Sequence, residues 1–139
     1  MIIKDQEIFL ETKGFCDVHD LTPALSEFVQ KSGVKNGQAL VHVPGSTAGV
    51  TTIEFEPGVL EDLCQALERI APQDIPYAHD KAWGDGNGFS HVRAALLKPS
   101  LVVPVIKGRL VLGTWQQVVL LDFDNRPRRR RVIFQIMGL

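Results

Sequence analysis

Apolar residues in two segments recur every three or four positions, which is the spacing of a helix that buries one face. In TPALSEFVQKSG, Leu25, Phe28 and Val29 share this face. Thr22 is predicted to cap this helix, with Pro23 at its first position. The apolar residues of EPGVLEDLCQALERIAP keep the same spacing and predict a longer helix. A short third helix is predicted in HVRAALLKPS, ending before the proline.

Strands are predicted where β-branched and apolar residues alternate or run together between turn residues. Such segments are residues 2–11, Ala39–Val43, VTTIEFE and three or four stretches of the C-terminal part. Short turns at KG and DNRP join the last strands, so we expect these strands to pair antiparallel. The pattern predicts an α+β fold over residues 1–139, a single compact domain with a mostly antiparallel mixed β-sheet, two main helices and a short third.

Two of the predicted strands, VVLLDF and VIFQIM, show little alternation and are apolar on both faces. A strand of this kind is covered by helices on both sides, or it buries one face against another subunit. Two helices and a short third are few for the first arrangement. We therefore expect a homo-oligomer.

Composition is that of an ordinary globular protein, with 139 residues, 45% hydrophobic and 22% charged. The formal net charge of -1 argues against general nucleic-acid affinity. No apolar run reaches the roughly 20 residues that cross a membrane, and MIIKDQEIFLE lacks the features of a signal peptide. A cytoplasmic location is expected.

Cys16 and Cys64 have no CxxC spacing, so buried thiols are expected rather than a disulfide.

The segment YAHDKAWGDGNGFSH is dense in polar and glycine residues and is predicted to be a loop. Its His79, Asp80, Asp85 and His91 form a mixed imidazole and carboxylate set of the kind that suits Zn, Mn or Fe. Trp83 lies among these residues. It is expected either to stack on a planar ligand or to pack under the loop. A solvated turn is the alternative to a site.

The segment PGSTAGVTTIEFE offers a second candidate site. Small residues in Gly45–Gly49 leave backbone amides accessible, and Ser46 and Thr47 add hydroxyl groups, so the loop is suited to hold phosphate. An ordinary strand-to-strand turn explains these residues equally well. Glu54 and Glu56 are predicted to share one face of the following strand, where they suit a metal or acid/base work.

The segment NRPRRRRV offers a third candidate site. If a strand begins near Arg128, then Arg128 and Arg130 face one way and Arg129 and Arg131 the other. Two guanidinium groups on one face suit bidentate binding of phosphate. A solvated charge cluster that protects a sheet edge is the alternative.

Taken together and in order, four blocks resemble the YjbQ-like family: STAG before a Thr-rich strand, then APQDIPYAHD, then the stretch from GDGNG through GRLVLGTWQ, then RPRRRRV. The resemblance covers roughly residues 38–137. It implies a compact α+β fold, a homotrimer and a secondary thiamine-phosphate synthase-like transferase acting on a phosphorylated small molecule. It also implies a site at His91, His79 and Asp80, in which His91 and His79 are catalytic and either ligate a divalent metal (Zn, Mn or Mg) or act as acid/base groups.

Two positions depart from the family pattern. Gly45 and Phe89 stand where many members carry His. The first metal shell would then draw on Glu54, Asp80 or Asp85 instead, or metal binding would be weak or absent. The alternative function is therefore a non-catalytic trimeric protein that binds a metabolite or metal. A third candidate function is a nucleic-acid-binding trimer that uses the arginine run. The run has no interleaved aromatic residues, which argues against this function.

Overall fold

The computed structural model describes residues 1–139 and contains eight strands and four helices. In chain order the elements are β1 (Ile2–Thr12), β2 (Asp17–Asp20), α1 (Thr22–Ser32), β3 (Asn36–His42), β4 (Ala48–Ile53), α2 (Pro57–Ile70), α3 (Ala78–Trp83), α4 (Gly88–Leu97), β5 (Ser100–Ile106), β6 (Arg109–Leu110), β7 (Gln117–Asp122) and β8 (Arg128–Gly138).

The strands form two antiparallel sheets, one of five strands in the order β1-β8-β3-β5-β6 and one of three in the order β2-β7-β4. The predicted α+β fold is therefore confirmed. The prediction that all C-terminal neighbours pair is wrong for β7 and β8, which lie in different sheets. The segment after β7 does not fold back, because its backbone bonds to other loops: Phe123 N donates to Thr47 O, and Phe15 N donates to Asp124 O.

The main hydrophobic core lies between the inner faces of the two sheets. Val118 and Leu120 of β7 point into it, and Val132 and Phe134 of β8 meet them there. Helix α1 closes this core by packing against β1, β6, β7 and β8. Burial of such aliphatic and aromatic side chains is the main stabilising contribution to the fold.

The outer face of the three-stranded sheet is also covered. Val119 and Leu121 of β7 pack there against Leu67 of α2 and Ala94 of α4. The apolar character of VVLLDF on both faces is thus explained within one chain. The outer face of the five-stranded sheet carries no helix, and Ile3, Val102 and Met137 stay exposed on it.

The ends of α1 follow sequence rules only in part. Leu21 occupies the N-cap, so the expected cap at Thr22 is wrong. Thr22 instead uses its hydroxyl to accept a hydrogen bond from Val118 N at 2.8 Å, which ties the helix to β7. Gly33 ends the helix with a positive φ of 78°, a conformation that glycine adopts without strain.

The segment predicted to be a loop contains α3 and the start of α4, so the helices number four rather than two and a short third. Gly84 ends α3 in the left-handed conformation. The Oδ1 atom of Asp80 then accepts a hydrogen bond from Gly88 N at 2.9 Å, which joins α3 to the first residue of α4. None of the helices combines the length and apolar character that crossing a membrane requires.

Cys16 and Cys64 form a disulfide, so the expectation of two buried thiols is wrong. The bond links the β1–β2 connection to α2, with the two Cα atoms 6.0 Å apart. The residues lie 48 positions apart in the chain. Their proximity arises only because α2 packs on the sheet that contains β2, which the spacing of the cysteines does not encode.

Candidate functional site

An open cleft of about 490 Å³ contains most of the residues that the sequence marked for function. It lies between α3, the start of α4, the β3–β4 loop and the start of β8. Its lining residues are Gly45, Ser46, Thr47, His79, Trp83, Asp85, Asn87, His91, Arg128 and Arg130. The three candidate segments of the sequence therefore meet at one place.

Two arginines of β8 form one wall of the cleft. Arg128 and Arg130 point to the same face of the strand, as the two-residue period predicts. Arg128 binds Asp124 Oδ2 through Nε at 2.8 Å. Arg130 binds both oxygens of Asp122, with Nε at 2.6 Å from Oδ2 and Nη2 at 2.9 Å from Oδ1. These contacts fix both guanidinium groups in position.

The two carboxylates behind the arginines are fully buried and were not predicted as site residues. Burial by itself would raise the pKa of the Asp122 carboxyl, but hydrogen bonds from Arg130 and Thr12 outweigh it and hold the pKa below its ordinary value. Burial opposes ionisation of Asp124 in the same way. Hydrogen bonds from Asn125 N and Asn87 bring its pKa below the ordinary value as well. Both groups are therefore ionised at neutral pH.

The β3–β4 loop forms the second wall. Thr47 is buried and bridges the two carboxylate–guanidinium ion pairs. Its hydroxyl donates a hydrogen bond to Asp124 Oδ2 at 3.1 Å and accepts one from Arg130 Nη2 at 2.6 Å. A Cβ atom built on Gly45 would lie 3.1 Å from Arg130 Nη1. The absence of a side chain at Gly45 thus leaves the outer edge of the Arg130 guanidinium open to the cleft.

Two histidines form the third wall. The rings of His79 in α3 and His91 in α4 lie with their centroids 4.3 Å apart. Burial, followed by the neighbouring His79, lowers the pKa of His91 below its ordinary value, so its ring is neutral at pH 7. His79 Nε2 lies 3.1 Å from Asn87 Oδ1 and 3.4 Å from Asp85 Oδ1.

Asn87 connects the histidines to the arginines and was missed in the sequence. It is buried, and its Nδ2 group donates to Asp124 Oδ1 at 3.3 Å. A continuous polar chain therefore runs from His79 through Asn87 and Asp124 to Arg128. In the sequence, Asn87 is marked only by its place in the polar GDGNG stretch, and this does not distinguish it from its neighbours.

Of the predicted metal ligands His79, His91, Asp80 and Glu54, the structure brings only the two histidines to the cleft. Asp80 accepts a hydrogen bond from the start of α4 and does not line the cleft. Strand β4 ends at Ile53, so Glu54 lies beyond it and outside the cleft. Glu56 caps α2 by accepting from Gly58 N and Val59 N, so the predicted pair of carboxylates on one strand face is wrong. No group of three or more His, Cys, Asp or Glu side chains forms a metal-binding cluster.

The two departures from the family pattern have different structural settings. Gly45 lines the cleft. Phe89 is buried in the interior, stacked on Phe15 at 6.4 Å, with the Arg93 guanidinium 5.0 Å from its ring centroid. The residue at position 89 therefore serves packing in this chain, and only position 45 alters the cleft.

Arg129 and Arg131 point away from the cleft. Arg131 pairs with Glu7, and Arg129 lies 3.7 Å from Glu11 and over the ring of Phe9. These contacts are on the outer face of the five-stranded sheet, which the alternation along β8 predicts. Neighbouring carboxylates thus offset the positive charge of this face.

An apolar extension adjoins the cleft. A groove of about 230 Å³ shares Gly45, Ser46 and His91 with it and is otherwise lined by Ala48, Ala94, Ala95 and Pro99. Small side chains line most of this groove. The combined space can accept a molecule with a charged end and an uncharged body.

Fold and cleft together define a class: a two-sheet α+β protein whose arginines and histidines meet beside a short helix. The chain belongs to the YjbQ-like UPF0047 family, whose model matches residues 6–139. This is a family of unknown function, and the predicted membership is confirmed.

Relatives of known sequence and structure agree with this assignment. A UPF0047 protein of Archaeoglobus fulgidus is 37% identical over 131 residues, which cover 94% of this chain and 99% of that protein. One from Mycobacterium tuberculosis is 42% identical over 114 residues, covering 81% of this chain and 83% of that protein. The crystal structure of a YbjQ-like protein of unknown function from Sulfolobus solfataricus P2 is similar at a TM-score of 0.94 and 31% identity, covering 99% of this chain and 98% of that chain.

Proposed function

We propose that the cleft binds the phosphate group of a small organic molecule and that the protein is an enzyme acting on that molecule. The observation that carries this proposal is the meeting of Arg128, Arg130 and the Ser46–Thr47 loop with two imidazoles in one cleft. Guanidinium groups bind phosphate oxygens through paired N–H groups, and the exposed Ser46 hydroxyl and the loop amides add further donors. The Thr47 hydroxyl is already used by Asp124 and Arg130, so Thr47 supports the site by holding Arg130 in place.

The buried carboxylates support this role rather than cancel it. Asp122 holds Arg130 through Nε and Nη2, which leaves the Nη1 edge facing Gly45. A guanidinium that is already fixed loses little conformational entropy when it binds a ligand. The apolar groove beside Ala94 and Ala95 then receives the uncharged part of the molecule.

The reaction that fits the family resemblance is formation of thiamine phosphate. In it, the nitrogen of the thiazole phosphate gives its electron pair to the methylene carbon of the pyrimidine. The bond from that carbon to oxygen breaks, and pyrophosphate leaves with the bonding electrons. Arg128 and Arg130 would stabilise the negative charge on the leaving group. The neutral His91 ring can donate one hydrogen bond to it, and no protein nucleophile is needed.

A divalent metal stays a prediction. Of the candidate ligands, the cleft contains His79, His91 and Asp85, whereas Asp80 and Glu54 lie outside it.

A direct assay tests the reaction. Purified protein is incubated with thiazole phosphate and hydroxymethylpyrimidine pyrophosphate, with and without added divalent metal. Thiamine phosphate is expected in both cases, at a rate reduced at least tenfold in Arg128→Gln. Absence of product under every condition would refute this reaction.

The alternative is a protein that binds a phosphorylated metabolite without converting it. Gly45 favours this alternative, because the family resemblance implies a His at this cleft position, where this chain has no side chain. Binding of thiazole phosphate, measured by a thermal shift, combined with no turnover would establish it. Turnover above the uncatalysed rate would exclude it.

We also propose that the protein is a homotrimer, as the family resemblance implies. The five-stranded sheet supports it, because its outer face has no helix and exposes Ile3 at 60% and Val102 at 52%. Phe9, Ile106 and Met137 extend this apolar face. Apolar surface of this kind is typical of contacts between subunits.

A further inference from the structure

A second cleft, about 460 Å³ in volume, lies between the C-terminal end of α1 and the β5–β6 hairpin. It shares no lining residue with the cleft at the histidines. Three cationic side chains line it, Lys35, Lys107 and Arg109, and no Asp or Glu does. None of the three takes part in an ion pair. In a chain of net charge -1, this is a local excess of positive charge.

The hairpin holds one of these cations in an unfavourable backbone conformation. Lys107 has a φ of 53°, and Gly108 after it has a φ of 76°. Both values are positive, as in the tight turn where Asn-Gly is preferred. A lysine is strained at the first of these positions, where asparagine is not. Residues held in such conformations cluster at binding sites and switch regions.

The turn is firmly docked beside the second cation. Gly108 N donates to Lys35 O at 2.9 Å. A Cβ on Gly108 would lie 3.5 Å from Lys35 Cδ and 3.6 Å from its Nζ. The Lys35 ammonium group therefore lies against the turn that carries Lys107. Lys35, Lys107 and Arg109 thus line one cleft with no acidic side chain among them, and like charges in one cleft repel each other less when an anion lies between them.

Neutralisation of the C-terminal end of α1 does not explain this cluster. Helix ends of this kind attract cations, but that role is already filled here. Lys4 Nζ donates to Ser32 O at 3.2 Å, and Lys31 in the last turn pairs with Glu27 at 2.7 Å. Lys107 and Arg109 of the hairpin are therefore not needed to neutralise the C-terminal end of α1.

We propose that this second cleft binds a small organic anion with two or more negative charges. Lys35, Lys107 and Arg109 supply the positive charge, and the side chains of Val29, Val34, Leu110 and Leu112 supply an apolar floor for its carbon part. The site is independent of the function proposed for the cleft at the histidines.

An NMR titration of the ¹⁵N-labelled protein with inorganic pyrophosphate tests the proposal. The amides of Gly33, Gly108 and Arg109 are expected to shift and saturate. Binding at the other cleft is read separately from Ser46 and Thr47. Lys107→Asn removes a charge and relaxes the backbone, so it should weaken binding here roughly fivefold while the Tm stays equal or rises.

Lys13→Asn, on a lysine in the β1–β2 connection, is the matched control and should leave both sites unchanged. Arg109→Gln, which leaves the two positive-φ residues Lys107 and Gly108 unchanged, should weaken binding as Lys107→Asn does. The proposal is overturned if the amides around the hairpin do not shift, or if Lys13→Asn weakens binding as much as Lys107→Asn.

Discussion

At the scale of single residues, strand alternation was the most informative signal. It placed Arg128 and Arg130 on the face opposite Arg129, and the structure confirms this division. It did not reveal Asp122, because an acidic residue at the end of an apolar strand looks like the start of a solvated turn. Its burial depends on Arg130, which lies in another sheet and is brought near only by the fold.

The ion pair of Asp122 with Arg130 carries a stability prediction. Both side chains are buried, so Asp122→Asn leaves a buried guanidinium without its hydrogen-bonded counter-charge, and the nearest remaining carboxylate, Asp124, lies 3.9 Å away. Loss of one partner of such a pair costs about 3–5 kcal/mol of unfolding free energy, measured by urea denaturation at pH 7. Glu7→Gln removes the exposed partner of Arg131 and is the control, with an expected loss below about 1 kcal/mol. Equal losses in the two variants would contradict this account.

The same pair predicts how the stability of the fold changes with pH. The pKa of Asp122 is lower in the folded state than in the unfolded chain, because hydrogen bonds from Arg130 and Thr12 outweigh its burial. Its contribution to stability is therefore complete above the unfolded pKa of about 3.9. It is lost as the pH falls through the folded value.

At the scale of elements, periodicity identified the long helices and most strands but not their partners. Both α1 and α2 were predicted because each buries an apolar stripe. The short α3 has no buried residue, so it left no apolar pattern to find. The assignment of β7 and β8 to different sheets depends on contacts of the connecting segment with distant loops, which local spacing does not specify.

The disulfide between Cys16 and Cys64 gives a prediction at this scale. It closes a loop of 48 positions that joins the β1–β2 connection to α2. By the chain-entropy account, its loss in Cys16→Ser should lower the unfolding free energy by roughly 2–4 kcal/mol. Dithiothreitol should lower the Tm of the wild type in the same sense. It should leave the Tm of the Cys16→Ser, Cys64→Ser double variant unchanged, and an equal effect on both proteins would argue against the bond.

At the scale of the whole molecule, the apolar outer face of the five-stranded sheet remains the feature that a single chain does not explain. Its exposure follows from the topology, since α2 and α4 cover the other sheet and α1 closes the core. The sequence indicated an uncovered face because VIFQIM lacks alternation. It did not indicate which sheet would be bare, because VVLLDF has the same pattern and is covered.

Assembly through this face predicts a solution mass near three times the chain mass of 15.4 kDa. Light scattering coupled to size exclusion measures this directly. Val102→Glu places a charge on the exposed face and should shift the mass toward one chain while the far-ultraviolet circular dichroism is retained. A mass of one chain for the wild type at micromolar concentration would refute the trimer.

The central claim is that the cleft at the histidines binds phosphate through the inward-facing arginines of β8. Calorimetric titration with thiazole phosphate tests it most directly, with Arg128→Gln compared against Arg129→Gln. These neighbours carry the same charge on opposite faces of one strand. The affinity is expected to fall at least tenfold in Arg128→Gln and to be unchanged in Arg129→Gln. Equal affinities in the two variants, or no binding by the wild type, would contradict the claim.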